Sequence, residues 1–205
     1  MILPRFYPIL DTVALGQSSL KAVDAAESLL SAGARILQLR HKSHFDRVTY
    51  AAAVQIACLC RDAGALFVVN DRVDVAMLLD AAVHVGQDDL HPSGVRRIAG
   101  GSRIVGFSTH NEAQLLDAAD QPVDYVALGP IFGTRSKTNP DPEVGLLELR
   151  RLARLIEIPL VAIGGITLDR AVEVWSAGAG SIAVVGDLYP NIRSRAEEWV
   201  KLANE

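Results

Sequence analysis

The sequence predicts a (β/α)8 barrel, and three observations carry that expectation. Eight short apolar runs recur along the chain, separated by longer Ala- and Leu-rich stretches of helical periodicity. Strict alternation of this kind implies βαβ units and a parallel sheet. The length, 205 residues, sits at the low end of what eight such units require. A doubly wound open sheet is the competing arrangement of the same units. No linker or low-complexity segment interrupts the chain, so residues 1–205 are expected to form one domain.

The elements follow in order. A first strand is expected at 5–11 (RFYPILD), then a helix within SSLKAVDAAESLLSAGA, closing on glycine. A second strand at 35–41 (RILQLRH) precedes the helical VTYAAAVQIACLCRDAGA, and a third at 66–71 (LFVVND) precedes RVDVAMLLD. The fourth strand is expected at 82–87 (AVHVGQ), and the fifth, 103–109 (RIVGFST), leads into NEAQLLDAAD. The sixth, 124–131 (DYVALGPI), is followed by the longest non-periodic stretch, FGTRSKTNPDPEVG at 132–145, and then by GLLELRRLARLIE. Loops of that length in compact domains are usually functional or disordered. The seventh strand, 159–166 (PLVAIGGI), precedes LDRAVEVWSAGAG. The eighth, 181–188 (SIAVVGDL), precedes a last helix in IRSRAEEWVKLANE, for about eight helices in all.

Composition narrows the function. Half the residues are hydrophobic and the net charge is −4, which argues against nucleic-acid binding through a general basic surface. No apolar run reaches transmembrane length, and MILPRFYPILD lacks the basic and apolar regions of a signal peptide. Cys58 and Cys60 are the two cysteines. Two apart on a helix, they point to nearly opposite sides and are expected as free thiols of a cytoplasmic protein. Small-molecule substrates are the expected partners, with neither nucleic acid nor membrane.

LQLRHK, residues 37–42, carries the first functional signal. In a strand, Gln38, Arg40 and Lys42 share one face and Leu37, Leu39 and His41 the other. Alone this reads as a solvated face of an amphipathic strand. In a parallel barrel, helices cover the outside, so the leucines face helices and the polar residues face the lumen. Unpaired charge deep in a core is costly; the C-terminal mouth, where this fold places its active sites, tolerates it. Gln38, Arg40 and Lys42 there describe a site for a polyanion.

Asn70 and Asp71 are expected at the end of the third strand, with Asp88 and Asp89 just past the fourth. Neighbouring carboxylates beside an anion site suggest Mg2+, typically held by one or two carboxylates plus phosphate oxygens. The competing role for Asp71 is to cap the following helix. GFSTH puts Ser108 and His110 on one side, with Ser108 a donor into the site; no Ser–His–acid triad is specified by spacing. His84 reads as a hydrogen-bonded core residue. GTRSK (133–137) can wrap a phosphate, and AIGGI and VVGD close the last two strands with glycine. Loops after those strands commonly bind phosphate through backbone N–H groups; a tight turn is the other use of Gly164 and Gly165. The mouth therefore has two anion regions, one suited to a metal-bound polyphosphate and one to a monophosphate. A reaction joining two phosphorylated small molecules, with pyrophosphate leaving, would use both.

LQLRHK, VVNDRVDVA, HVGQDDL, GFSTH, GPIFGTRSK, IGGI and IAVVGDL occur in this order, and with them the chain resembles the thiamine-phosphate synthase (thiamine-phosphate pyrophosphorylase) family from first strand to last. The resemblance implies a (β/α)8 barrel that couples hydroxymethylpyrimidine diphosphate to thiazole phosphate, giving thiamine phosphate and pyrophosphate with Mg2+. By motif position it implies that Gln38, Arg40, Lys42, Asn70, Ser108 and Lys137 bind the pyrimidine diphosphate. Of these, Arg40, Lys42, Ser108 and Lys137 are implied to be catalytic. Asp71 and Asp89 are implied to hold Mg2+, and Thr134, Ser136, Gly165, Val185 and Gly186 to bind the thiazole phosphate. The implied mechanism is dissociative, with the thiazole nitrogen capturing a pyrimidinyl methylene cation. Gly186 stands where the family commonly has Ser, Ser136 where it has Thr, and His41 where an acidic residue is frequent. Asp88 is the alternative to Asp89. A thiazole tautomerase of the same superfamily, which lacks the GQ-x-D carboxylate, and a non-catalytic thiamine-phosphate sensor are the competing functions.

Overall fold

The computed structural model describes residues 2–134, 141–189 and 191–205. Eight parallel strands close on themselves in sequence order, β1 to β8. They are β1 (Phe6–Asp11), β2 (Ile36–Arg40), β3 (Leu66–Asn70), β4 (Ala82–Val85), β5 (Val105–Thr109), β6 (Tyr125–Leu128), β7 (Leu160–Ile163) and β8 (Ser181–Val184). β1 pairs with β8 as well as with β2, which closes the barrel and excludes the open sheet.

The described residues hold nine α-helices rather than about eight. The extra one arises because two helices follow β1: α1 (Thr12–Gln17) and α2 (Ala22–Ser31). The others are α3 (Arg47–Asp62), α4 (Val73–Leu78), α5 (Pro92–Ala99), α6 (Glu112–Ala119), α7 (Gly145–Leu152), α8 (Ala171–Ser176) and α9 (Ile192–Ala203), with 3-10 turns at Leu168–Arg170 and Gly186–Leu188. Local chemistry marks several starts. The side chains of Asp11, Asp46 and Asn111 accept from the first-turn N–H groups of α1, α3 and α6, satisfying donors with no intrahelical partner. No described helix is long and apolar enough to cross a membrane.

Strands covered on both faces read as short continuous apolar runs, and two cores result. The larger lies between sheet and helices and includes Leu37, Leu39, Val69, Val83 and Phe107. Trp199 of α9 joins it, stacked on Phe6 at 5.5 Å between ring centroids. The smaller fills the lumen with Tyr7, Ile9, Ile36, Val68, Ala82, Tyr125, Ala127, Val161 and Ala183. Observed strands are shorter than expected at their C-terminal ends. β6 stops at Leu128 rather than Ile131, and β7 at Ile163 rather than Ile166. The missing residues form the loops of the mouth. Cys58 and Cys60 are free, the second buried and the first half-buried.

Candidate active site

β2 resolves its facing as expected. Leu37 and Leu39 pack under the helices, while Gln38 and Arg40 line a cavity of about 430 Å3 at the C-terminal mouth. Arg40 is paired in register with Asp11 of β1, and its guanidinium forms a salt bridge to that carboxylate. The other Asp11 oxygen accepts from Val13 N–H at 2.9 Å and Ala14 N–H at 3.1 Å. One buried carboxylate thus starts α1 and aims a cation at the cavity. Sequence reasoning missed Asp11, although it closes β1 as Asn70 closes β3, a signal available from its position.

Lys42 lies past the strand. Its Nζ is 2.5 Å from Asp71 Oδ2 and 4.0 Å from Asp89 Oδ2. Asp71 does not cap α4; Arg72 holds the cap position, without a side-chain bond. Instead the Asp71 backbone turns left-handed, at φ 63°. A non-glycine residue there costs of order 1–3 kcal/mol and is a frequent mark of functional sites. Burial, then a hydrogen bond with Asp89, pushes the Asp71 carboxyl up to about 6, against the pull of Lys42. Burial opposes ionisation of Asp89 too, but bonds from Asp71 and the Gly86 N–H, with Lys42 nearby, hold it below the usual carboxylate range. Of the two neighbouring acids, Asp71 is therefore the one that takes up a proton first as pH falls. Asp89, not Asp88, joins this cluster: Asp88 is exposed, whereas Asp89 also accepts from Gly86 N–H at 2.8 Å.

Asn70 lines the cavity, and its Nδ2 is buried without a hydrogen-bond partner. Buried donors rarely go unpaired, so this one is placed for an acceptor from a ligand. Ser108 also lines the cavity, its Oγ 2.8 Å from His84 Nε2. His84 is hydrogen-bonded and buried, as expected, but it also lines the cavity. Burial drives its imidazole down to about 4, so it is neutral at pH 7. His110 Nδ1 lies 2.6 Å from the Gly129 carbonyl oxygen.

Thr134, Gly165, Val185 and Gly186 line the same cavity from the β6, β7 and β8 loops. Lys42, Asp71 and Asp89 are not among its lining residues; they lie beside it, next to Asn70 and past Arg40. Ser136 and Lys137 lie outside the described residues. The Gly164–Gly165 pair does make a tight turn, with φ of 97° and 64°. A Cβ would stand 2.6 Å from Pro130 Cα at Gly164 and 2.4 Å from the Gly133 carbonyl oxygen at Gly165. Glycine here lets the β7 loop lie against the β6 loop, so both loops reach one cavity. Around Gly186, by contrast, a Cβ would meet nothing within 4 Å.

The sequence profile of the thiamine monophosphate synthase family matches residues 6–188, which spans every strand of the barrel. The chain belongs to the thiamine monophosphate synthase family. A thiamine-phosphate synthase of Koribacter versatilis is 43% identical over 203 residues, covering 98% of this chain and 96% of the relative. Another, from Chlorobium phaeovibrioides, is 43% identical over 189 residues, covering 91% of this chain and 90% of its own. The solved thiamine phosphate pyrophosphorylase of Pyrococcus furiosus superposes with a TM-score of 0.88 at 32% identity, covering 98% of this chain and 96% of that one. As a member of the thiamine monophosphate synthase family the chain is an enzyme of thiamine biosynthesis.

Proposed function

We propose that this enzyme condenses hydroxymethylpyrimidine diphosphate with thiazole phosphate, releasing thiamine phosphate and pyrophosphate, with Mg2+ bound at Asp71 and Asp89. The observation that carries the reading is one cavity whose two walls differ in chemistry. Arg40, Asn70 and Ser108 line one side, next to Lys42 and the acid pair; the glycine loops of β7 and β8 line the other. That division suits a diphosphate on one side and a monophosphate on the other.

The acid pair fits a hard divalent cation. It offers carboxylate oxygens only, and the burial and neighbouring acid that push Asp71 up are what a bound cation would offset. Among the described residues no third His, Cys, Asp or Glu joins it, which leaves room for diphosphate oxygens in the coordination shell. When bound, Mg2+ would neutralise charge on the departing pyrophosphate.

The chain's own residues do the remaining work. Arg40, oriented by Asp11, and Lys42 place positive charge beside the leaving group; charge-assisted bonds of this kind are the stronger ones. The free amide of Asn70 and the Ser108 hydroxyl offer neutral donors. Lys137 and Ser136 are assigned to the diphosphate and the thiazole phosphate by motif alone. Thr134, Gly165, Val185 and Gly186 hold the thiazole phosphate so that the ring nitrogen faces the pyrimidine methylene carbon. Ile9, Ala127, Val161 and Ala183 in the lumen keep water from a cationic carbon. Catalysis on this reading is positioning and electrostatics, and no general base is required because the thiazole nitrogen carries a lone pair. Free thiols suit a cytoplasmic setting.

The test is a coupling assay with both phosphorylated substrates, with and without Mg2+. Thiamine phosphate and pyrophosphate are expected in equal amounts and only with the metal. Absence of both products in every condition overturns the reading.

A further inference from the structure

Five side chains from five different strands form a continuous chain of hydrogen bonds across the barrel lumen. Gln38 Nε2 (β2) donates to the Tyr7 hydroxyl (β1) at 2.8 Å. The Tyr7 and Tyr125 hydroxyls (β1, β6) are 2.9 Å apart. The Tyr125 hydroxyl is 3.0 Å from His84 Nδ1 (β4), and His84 Nε2 is 2.8 Å from Ser108 Oγ (β5). Gln38, Tyr7, His84 and Ser108 line the cavity; Tyr125, which links Tyr7 to His84, does not. The junction has been given room. A Cβ on Gly106 of β5 would stand 2.1 Å from Tyr125 Cζ, 2.4 Å from its hydroxyl and 2.5 Å from His84 Nδ1.

Proton counting makes this chain directional. Each hydroxyl has one proton, and a neutral imidazole has one N–H and one acceptor nitrogen. With Gln38 donating to Tyr7, the Tyr7 proton goes to Tyr125 and the Tyr125 proton to His84 Nδ1. His84 then carries its proton on Nε2 and donates it to Ser108, whose own proton is left for the cavity. Reversing the bonds while Gln38 still donates makes the Tyr7 hydroxyl accept from both its partners and leaves its own proton without a protein acceptor, at a residue 1% exposed. The second fully satisfied state requires the Gln38 amide to turn over, so that its carbonyl accepts from Tyr7. Every bond then reverses, and the Ser108 proton is committed to His84.

We infer that Tyr125 and His84 are positioning residues that fix the Ser108 hydroxyl as a donor, and that they couple it to the side of the Gln38 amide presented to the bound ring. In the observed direction Gln38 keeps its carbonyl oxygen for the cavity, where an exocyclic amine can donate to it. Ser108 is then free to donate to the departing diphosphate oxygen. A ring with an oxo acceptor in place of the amine turns the amide, reverses the chain and removes that donor. Discrimination between such rings therefore falls on kcat more than on KM. The substrate half of this inference rests on the proposed function; the directional chain does not.

The experiment reads the His84 tautomer by 15N NMR of histidine-labelled full-length protein at pH 8. The wild type is expected to carry the proton on Nε2. Gln38→Glu, whose ionised carboxylate can only accept, is expected to move it to Nδ1; with Tyr125→Phe added, residue 38 no longer moves it. The same tautomer in wild type and Gln38→Glu, or an equal shift with Tyr125→Phe present, overturns the chain. The wild-type protein needs no variant for a second reading. Saturation with the oxo-pyrimidine diphosphate is expected to shift the proton to Nδ1, and the amino compound to leave it on Nε2. Failure of the oxo compound to bind or to shift the proton overturns the coupling to the ring. In the coupling assay Tyr125→Phe is expected to lower kcat about tenfold or more at unchanged KM; unchanged kcat overturns the positioning role. A wild type without coupling activity refutes the proposed function while the tautomer measurements still decide the chain.

Discussion

Leu39→Ala and Arg40→Ala change adjacent residues of one strand and should give opposite phenotypes. Leu39 is 2% exposed and belongs to the core between sheet and helices. Its truncation leaves a cavity there and should cost about 2–5 kcal/mol of stability, with kcat/KM per folded molecule within about a factor of two of wild type. Arg40 lines the mouth cavity and is bonded to Asp11. On the proposed function its removal would delete charge-assisted bonds to the diphosphate worth roughly 1.5–3 kcal/mol each, so kcat/KM should fall about ten- to a hundredfold. Some stability is lost as well, because the Asp11 side chain is 7% exposed and loses its cation. That loss should stay at about 1–3 kcal/mol, since Val13 and Ala14 N–H still bond Asp11. Arg40→Lys should recover only part of the activity, because an ammonium cannot reproduce a planar fork. Urea melts give stability, and steady-state kinetics at limiting pyrimidine diphosphate, normalised to folded protein, give activity. A Leu39→Ala protein that is stable but crippled, beside an Arg40→Ala protein that is unstable but active, would refute the facing of β2.

Four further outcomes are expected. Chelation of Mg2+, or Asp89→Ala, should remove most turnover while the fold persists by circular dichroism; near-normal turnover at limiting Mg2+ would remove the acid pair from the mechanism. Gly165→Ala, at φ 64° and with its Cβ 2.4 Å from a carbonyl oxygen, should raise the KM for thiazole phosphate and lower the melting temperature. Gly186→Ser, in open space, should leave that KM no worse, and a loss confined to the pyrimidine substrate would reassign this loop. His84, ordinarily titrating near 6.5, is pressed to about 4 by burial. The unfolded chain therefore binds the extra proton first: the stability is complete above pH 6.5, falls as pH drops, and its loss is complete below about 4. The total is about 3 kcal/mol, read as urea midpoints at pH 7 and 4.5, and His84→Gln should flatten that slope.

The periodicity of short apolar runs and Ala/Leu-rich stretches determined the barrel, because helices on the outside demand strands that are apolar on both faces. It also determined the facing of Leu39 and Arg40, once a parallel sheet left no solvated side. Residues at strand ends, such as Asn70, Asp71 and Ser108, were legible for the same reason. Chain position alone put them at the mouth.

Other features needed tertiary structure, because they depend on which strands end up opposite one another. Asp71 turns left-handed instead of capping α4, and it meets Asp89 rather than Asp88; φ and loop closure decide this, and spacing does not encode them. The Gly164–Gly165 turn exists so that two loops can touch, a contact between residues about thirty positions apart in the chain. The sequence marked His84 as a hydrogen-bonded core residue but named no partner for it, and it singled out neither Tyr7 nor Tyr125. Only barrel closure brings β1, β4 and β6 close enough for their polar atoms to bond, across 118 and 41 residues of sequence. A hydrogen bond requires atoms within about 3 Å, and closing the sheet is what sets that distance.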